Sequence, residues 1–280
     1  MIVPREEQSP QSVASHYDEL DRWYLEIWGE HVHHGLWLRA NETPAEATFN
    51  LIQRLVERAD IQPGHKVCDV GCGYGGTARV LAREFGAQVT GLTLSQAQWA
   101  YAQSQSDGSG NPEILQRDFF SNSFADGSFD AAISIESSEH MPDKAAFFAE
   151  LYRILKPGGR LAVYAWLARP EPRSWEVGHF LEPICREGRL PAMGDEQDYR
   201  ELIEAAGFQT ISFEEYSRRV KKTWPIIIGR MAKRLAWDKE ARAFLFRGPA
   251  NRIFAKTVFR IWFAYEWGSM RYGLFTARKP

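Results

Sequence analysis

No stretch of roughly 18 apolar residues occurs in this 280-residue chain, so no bilayer-spanning helix is expected. The opening Met-Ile-Val-Pro-Arg-Glu-Glu has no basic patch leading into an apolar run, and so no export signal. Cysteine is scarce. Cys68, Cys72 and Cys185 form an odd, sparse set, which argues against a disulfide framework. The spacing of Cys68 and Cys72 suits neither a zinc knuckle nor a redox CxxC pair. Excess charge is missing as well, and a net −2 gives no global case for a nucleic-acid binder. Internal repeats and low-complexity tracts are absent. A cytoplasmic protein is expected, with a hydrophobic fraction of 44% and a charged fraction of 25%, close to ordinary globular usage. The length suits one large domain, or a domain with a substantial insertion, and needs no covalent staples.

What is present is periodicity. Residues 1–14 are polar with two prolines and read as a loose arm. From Ser15 to Trp28, the residues Tyr17, Leu20, Tyr24, Ile27 and Trp28 recur at helical spacing. Thr43-Pro44-Ala45-Glu46 offers a cap, a first-turn proline and a capping-box carboxylate. Phe49, Ile52, Leu55 and Val56 give the helix that follows an apolar face. Strand and helix then alternate. Strands are expected at 66–70, 88–92, 114–117, 129–135 and 160–166, and helices at 77–85, 95–104 and 143–155. Lys156-Pro157-Gly158-Gly159 stops the last helix. This alternation predicts an α/β fold, a Rossmann-like doubly wound sheet with ligands beyond the carboxyl ends of its strands. After Trp166 the pattern loosens into a helix at 196–206, a strand at 209–215, a mainly helical stretch over 223–267 and a closing strand at 270–278. Three parts follow: an amino-terminal covering region (1–40), a Rossmann-like core (41–170), and a remainder (171–280) with a helical lid inserted at about 217–268.

The strongest motif is Val67-Cys68-Asp69-Val70-Gly71-Cys72-Gly73-Tyr74-Gly75-Gly76. Its glycines allow a tight turn and close approach to a ligand, and the next helix aims its amino-terminal N–H groups there. Gly71-x-Gly73-x-x-Gly76 also fits the dinucleotide fingerprint, a weak signal alone. Two features favour S-adenosylmethionine. Asp69 can hold that cofactor's cationic amino group, whereas a pyrophosphate would be repelled. The stretch about 20 residues on, where a dinucleotide site wants an acid, reads Gly91-Leu92-Thr93-Leu94-Ser95. Asp118, after the third strand, can read an adenine edge with Phe119 stacking; the alternative is a helix cap near Ser121.

His16-Tyr17-Asp18, Glu26 through Gly35, Gly91 through Ser95 and Glu136 through Lys144 resemble tocopherol C-methyltransferases and related natural-product methyltransferases. The wider group is similar to cyclopropane-fatty-acid and mycolic-acid synthases. The resemblance covers residues 15–170 and the closing strand Arg271–Pro280. It implies a seven-stranded sheet with an antiparallel last strand. It further implies that Asp69, Gly71 and Gly73 hold the methionine half of the donor, that Thr93 and Gln98 bind the ribose, and that Leu94 lies against the adenine. By the same resemblance Asp118 and Phe119 sit at the adenine, Ile135 offers its carbonyl near the methionine end, and Tyr17 and His33 close over the donor. His33 replaces the tyrosine of the lipid-modifying branch. Gly35 stands where that branch carries a cysteine, which counts against cyclopropanation.

Glu139 and His140 follow the fourth strand at the expected mouth of the site. Either can act as a general base for an acceptor, or both can cap and orient the loop. Glu136 reads as a hydrogen-bonding support rather than a base. His31, His33 and His34 invite a metal reading, with His31 and His33 on one face of a strand and His34 on the other. Methyl displacement needs no metal, and none is expected. Tyr17, Trp28 and Trp37 suit a sulfonium or plain core packing. Residues 218–260 hold thirteen Lys/Arg against two Asp/Glu, a net +11, so the remainder carries −13. With Trp224, Ile226, Ile227, Ile228, Phe244, Phe246, Phe254, Phe259 and nearby Trp262, this stretch reads as a cover for a lipophilic small-molecule acceptor. It also fits either peripheral contact with an anionic membrane or a solvated cationic face. Rival readings of the whole chain are a methylene-adding lipid enzyme, a dinucleotide oxidoreductase and a non-enzymatic binding protein.

Overall fold

The computed structural model describes residues 1–247 and 249–280, with the backbone alone for 244–247, 249–252 and 254. The expected Phe244, Phe246 and Phe254 therefore lie outside the described side chains. Seven strands form one sheet in the order β3-β2-β1-β4-β5-β7-β6. They are β1 (Lys66–Val70), β2 (Gln88–Thr93), β3 (Glu113–Gln116), β4 (Phe129–Ile135), β5 (Leu155–Ala168), β6 (Gln209–Glu215) and β7 (Met270–Arg278). The first five run parallel, and β7 is antiparallel to both β5 and β6. Strand order reverses between β1 and β4, which opens a crevice at their carboxyl ends.

Side chains alternate across the sheet. Val67, Ala131, Ile133, Ala162 and Tyr164 face one core with α1 (Pro10–Ile27), α2 (Pro44–Ala59) and α3 (Gly76–Glu84). Cys68, Val70, Ala132, Leu161 and Val163 face the other, with α5 (Lys144–Ile154) and α8 (Glu196–Ala205). Between these, α4 (Gln96–Ser104) is capped by Ser95. Burial on both faces is why β1 and β4 are mostly apolar, with Asp69 an exception inside β1.

Several expectations are corrected. Residues 1–14 are not a loose arm. Ser9 and Ser12 form a capping box that starts α1 at Pro10, and Ile2 bridges to Met193. The helical period is hard to see there because residues 10–16 are mostly polar. The Thr43/Glu46 capping box forms as read, but Phe49 is 39% exposed and meets Phe85 on the surface. The buried stripe of α2 is centred on Leu51, Ile52 and Leu55 instead. Lys156–Gly159 does not separate helix from strand. β5 begins at Leu155, and a register shift between Phe129 and Ala131 absorbs the extra residues as a bulge. The histidine segment 31–34 is irregular rather than a strand. A bent arm that the sequence did not announce comprises α6 (Ser174–Glu176), a π-type turn (Val177–Leu181) and α7 (Glu182–Glu187).

The lid lies between β6 and β7 as α9 (Ser217–Val220), α10 (Thr223–Trp237), α11 (Lys239–Arg247) and α12 (Pro249–Trp267). It enters and leaves at one rung of the sheet. Tyr216 N–H donates to the Tyr272 carbonyl at 2.8 Å, and Tyr272 N–H donates to Ser217 Oγ at 2.9 Å. Among the described residues no helix is long and apolar enough to cross a membrane.

Candidate active site

The glycine turn leaving β1 reaches the switch point because it lacks side chains. Gly71 has φ +76°, and a Cβ there would stand 2.3 Å from Ser137 Cβ at the end of β4. The N–H groups of Gly71 and Cys72 both donate to the Leu92 carbonyl at 2.9 Å, which pins the turn to β2. Gly73, at φ +56°, faces open space with only Gln98 Nε2 within 4 Å. Beyond the turn lies a cleft of about 830 Å³, part of it open to solvent. Gly71, Gly73, Thr93, Leu94, Gln98, Asp118, Phe119, Ile135 and Tyr17 all border it, so the structure gathers most of the expected donor residues in one place.

Their details differ from a simple list of contacts. Thr93 donates its hydroxyl to Gln98 Oε1 at 2.8 Å, so the two residues expected at the ribose hold one another. Asp118 accepts from the Phe120 N–H at 2.9 Å and caps the short turn after β3, while it also borders the cleft. Phe119 is packed edge-on against Phe147, and the more exposed ring is its neighbour Phe120. His33 does not border this cleft. Its Nδ1 lies 2.8 Å from the His34 carbonyl and its Nε2 3.4 Å from Thr77 Oγ1. Its ring stands T-shaped to His31, while His34 turns the other way. Ser137 and Met141 border the donor cleft and had no sequence signal beyond lying near a strand end.

Asp69 sits behind the glycine turn, 2% exposed. Its Oδ2 has no hydrogen-bond partner among the described residues, and burial pushes its pKa up to about 7. A buried carboxylate oxygen left unpaired is costly.

A second cleft, about 800 Å³, meets the first at Tyr17, Val32, Glu136 and His140. Its walls are rings drawn from distant parts of the chain: His16, Tyr17, Tyr24 and Trp28 from the amino-terminal region, His34, Trp166 from β5 and Trp224 from α10. Consecutive rings touch, with Tyr17 to Tyr24 at 5.2 Å, Tyr24 to Trp28 at 5.6 Å, Trp28 to Trp224 at 6.3 Å and Trp224 to His34 at 5.3 Å. Ile184, Leu190, Val258 and Ile261 complete an apolar chamber suited to a flat, lipophilic ligand.

The polar groups in this chamber are neutral or already satisfied. Glu136 Oε1 accepts from His34 N–H (2.8 Å), His34 Nδ1 (2.9 Å) and the Tyr272 hydroxyl (2.7 Å), while Oε2 accepts from Trp166 Nε1 (2.7 Å). Burial opposes ionisation of Glu136, but electrostatic attraction to His34, the two hydrogen bonds from His34 and the nearby His33 outweigh it and bring the pKa down to about 2. The indole of Trp224 donates to His34 Nε2 at 2.8 Å. An indole N–H only donates, so His34 Nε2 is the acceptor there and its Nδ1 faces Glu136. Glu136 thus supports the site as expected. Glu139 is 2% exposed; its Oε1 accepts from the Trp166 N–H and its Oε2 from the Ser138 hydroxyl at 3.1 Å. Burial pushes its pKa up, against the Trp166 hydrogen bond.

His140 stands where the clefts join. Its Nδ1 lies 3.2 Å from the Arg189 carbonyl, which fixes the proton on that nitrogen. Its Nε2 lone pair therefore accepts from the Tyr17 hydroxyl at 3.1 Å. Burial holds the imidazole neutral, with a pKa down at about 4. On the far side His16 Nε2 and the Tyr24 hydroxyl form a similar pair at 3.0 Å, and burial lowers His16 to about 3.

The sheet and its donor cleft are those of a class I S-adenosylmethionine-dependent methyltransferase. Comparison with known proteins narrows this. The chain belongs to the mycolic acid cyclopropane synthetase family, whose model matches residues 5–257. It is 33% identical to the chloroplastic tocopherol O-methyltransferase of Arabidopsis thaliana, over 96% of this chain and 82% of that one. It is 30% identical to the 27-O-demethylrifamycin SV methyltransferase of Amycolatopsis mediterranei, over 97% and 98%. The crystal structure of the cyclase SpnF superposes with a TM-score of 0.84 at 27% identity, covering 100% of this chain and 99% of that one. The chain is an enzyme that uses S-adenosylmethionine to methylate a small lipophilic or aromatic molecule.

Proposed function

We propose that the acceptor is a neutral aromatic hydroxyl compound and that His140 takes its proton. The observation that carries this is the placement of a neutral imidazole, with Nε2 unprotonated, on the wall shared by both clefts. Bound S-adenosylmethionine supplies an electrophilic methyl on a sulfonium. Asp69, Gly71 and Gly73 hold its amino-acid end, Thr93 and Gln98 its ribose, and Leu94, Asp118 and Phe119 its base, with Ile135 beside the sulfur. Tyr17 closes the donor side. The acceptor O–H bond breaks as its proton passes to the Tyr17 oxygen and the Tyr17 proton passes to His140 Nε2, while the Nδ1–H stays on the Arg189 carbonyl, which stabilises the imidazolium. Methylation at the oxygen, or at a ring carbon made electron-rich by it, begins with this same proton loss.

Amines fit less well. The carboxylates Glu136, Glu139 and Glu187 are occupied by internal donors and offer no open counter-charge to an ammonium. The relatives named above are O-methyltransferases of a tocopherol and a rifamycin, which accords with a ring-bearing acceptor. The test is a set of phenols, hydroquinones and amines offered to the enzyme and to His140→Asn. Phenolic turnover should fall at least about a hundredfold in the variant, with donor affinity unchanged. Equal turnover of amines, or an unaffected variant, overturns the reading.

In this reading the three parts 1–40, 41–170 and 171–280 cover the donor, bind it and enclose the acceptor, in a cytoplasmic enzyme that visits membrane. The outer face of α12 favours that visit. Phe259, Phe263 and Trp267 are exposed one turn apart, and Trp267 touches Phe180, which touches Trp175. Val258 and Ile261 on the inner face of α12 border the acceptor cleft. Aromatics of this kind suit a bilayer interface, and the net +11 of residues 218–260 suits an anionic one. Flotation with phosphatidylglycerol vesicles should carry the protein, and Phe263→Ala/Trp267→Ala should weaken it. No flotation at moderate salt removes the membrane contact.

A further inference from the structure

The loop from β4 to α5 carries Glu136, Glu139 and His140, so its shape decides where the proton acceptor sits. It is pinned on several sides. The Ser137 hydroxyl donates to the Val70 carbonyl, Ser138 Oγ lies 3.1 Å from the Tyr199 hydroxyl, and Glu139 takes the Trp166 N–H. One further pin is a cation. Lys144 Nζ stands 3.1 Å from the Ser138 carbonyl, 3.1 Å from that of Glu139 and 3.2 Å from that of Met141.

Lys144 is an unexpected residue for its position. It is 5% exposed, and it opens α5, where the helix dipole repels a cation and Asp143 already provides the cap. An ammonium has three protons and no acceptor capacity. Here each proton has one carbonyl, and all three carbonyls belong to the turn that presents His140. Lys144 borders neither cleft, so it has no direct line to the donor or the acceptor.

We propose that Lys144 is a positioning residue for His140, its ammonium gathering the three carbonyls that fix the Ser138–Met141 turn. This rests on His140 as the proton acceptor. The position of Nε2 follows from that turn on one side and from the Arg189 carbonyl on the other. The ammonium has a second effect through its charge. Around His140 stand Tyr17 and His16 on α1, the Arg189 carbonyl after α7, Glu136 and Glu139 on its own loop, and Lys144 on α5. Burial lowers the His140 pKa most, the Arg189 carbonyl raises it, and the Lys144 charge lowers it further. The lysine thus keeps the imidazole free of its acidic proton.

Two kinds of variant separate these effects from plain structural support. Lys144→Met and Lys144→Gln remove the charge. In each, kcat should fall about tenfold or more with acceptor KM within twofold. The acid limb of the rate profile should move up by roughly half to one pH unit, as expected for losing a nearby positive charge. Lys144→Arg keeps the charge but replaces a compact ammonium with a planar fork. It should lower kcat several-fold and leave the acid limb in place. If Lys144→Met does not fold, Lys144→Gln and Lys144→Arg carry the comparison. Wild-type kcat in a charge-removed variant overturns the proposal, and so does a reduced kcat with an unmoved acid limb. If His140→Asn itself turns over normally, the base assignment fails instead, whatever the lysine variants do.

Discussion

The two clefts are built on opposite principles. The donor cleft is built around a glycine turn and the ends of β1, β2 and β4, with one carboxylate left without a partner behind the turn. The acceptor cleft is made of side chains, with rings from α1, β5 and the lid held by mutual contact and by the Glu136–His34–Trp224 chain. A site formed by rigid turns at a switch point accepts one kind of ligand. A chamber of packed rings can be recut by single substitutions while the sheet stays intact.

That contrast can be broken most directly at Asp69. Asp69→Ala should weaken donor binding at least about a hundredfold if, as proposed, Asp69 is the counter-charge of the donor's ammonium. Calorimetry against S-adenosylmethionine or its demethylated product checks this. The same residue makes the donor cleft pH-sensitive. Its donor-free pKa is raised to about 7, and only the carboxylate pairs with an ammonium. Donor affinity should therefore fall as pH drops below about 7, approaching tenfold per unit, with proton release on binding at pH 6. Acceptor variants should leave this slope untouched. A smaller effect is expected on the other side. Trp224→Phe keeps the ring but strands His34 Nε2, a loss of about 1–3 kcal/mol. Acceptor KM should rise roughly tenfold with donor affinity unchanged, and a parallel loss of donor binding would erase the distinction between the clefts. The smallest change is expected from Glu139→Gln. An amide oxygen can still accept the Trp166 N–H, so donor binding should be spared and turnover lowered only a few-fold. Normal turnover removes Glu139 from the reaction.

How much of this was legible in the sequence follows the same divide. Capping boxes, glycine turns and buried strands are local signals. The limits of β4, β6 and β7, the Thr43/Glu46 cap and the residues around Gly71 could be read directly. The donor residues follow because strand ends converge in a parallel sheet. His33, expected over the donor, borders the adjoining acceptor cleft instead, its ring engaged by His34 and Thr77. The acceptor cleft gives no local signal at all. His16 and Ile261 share a chamber only after the lid folds back, and the carbonyl of Arg189 that orients His140 comes from a turn with no motif. Phe49 shows the converse error, an apolar residue on the right helix but off the stripe that the sheet covers. Glu139 and His140 were adjacent candidates of similar standing, and only tertiary contacts separate a tethered carboxyl from an imidazole at the junction.

The lid departs from the sheet and rejoins it at neighbouring residues, Tyr216 and Tyr272, so the polypeptide between them is a closed excursion. The entropy of closing such an excursion grows only slowly with its length. Residues 217–269 can therefore lengthen, shorten or be exchanged for the corresponding stretch of another family member without disturbing strand pairing. The lid's share of acceptor choice, carried by Trp224, Val258 and Ile261, is in this sense a detachable module, while the amino-terminal and β5 walls of the chamber stay behind with the sheet.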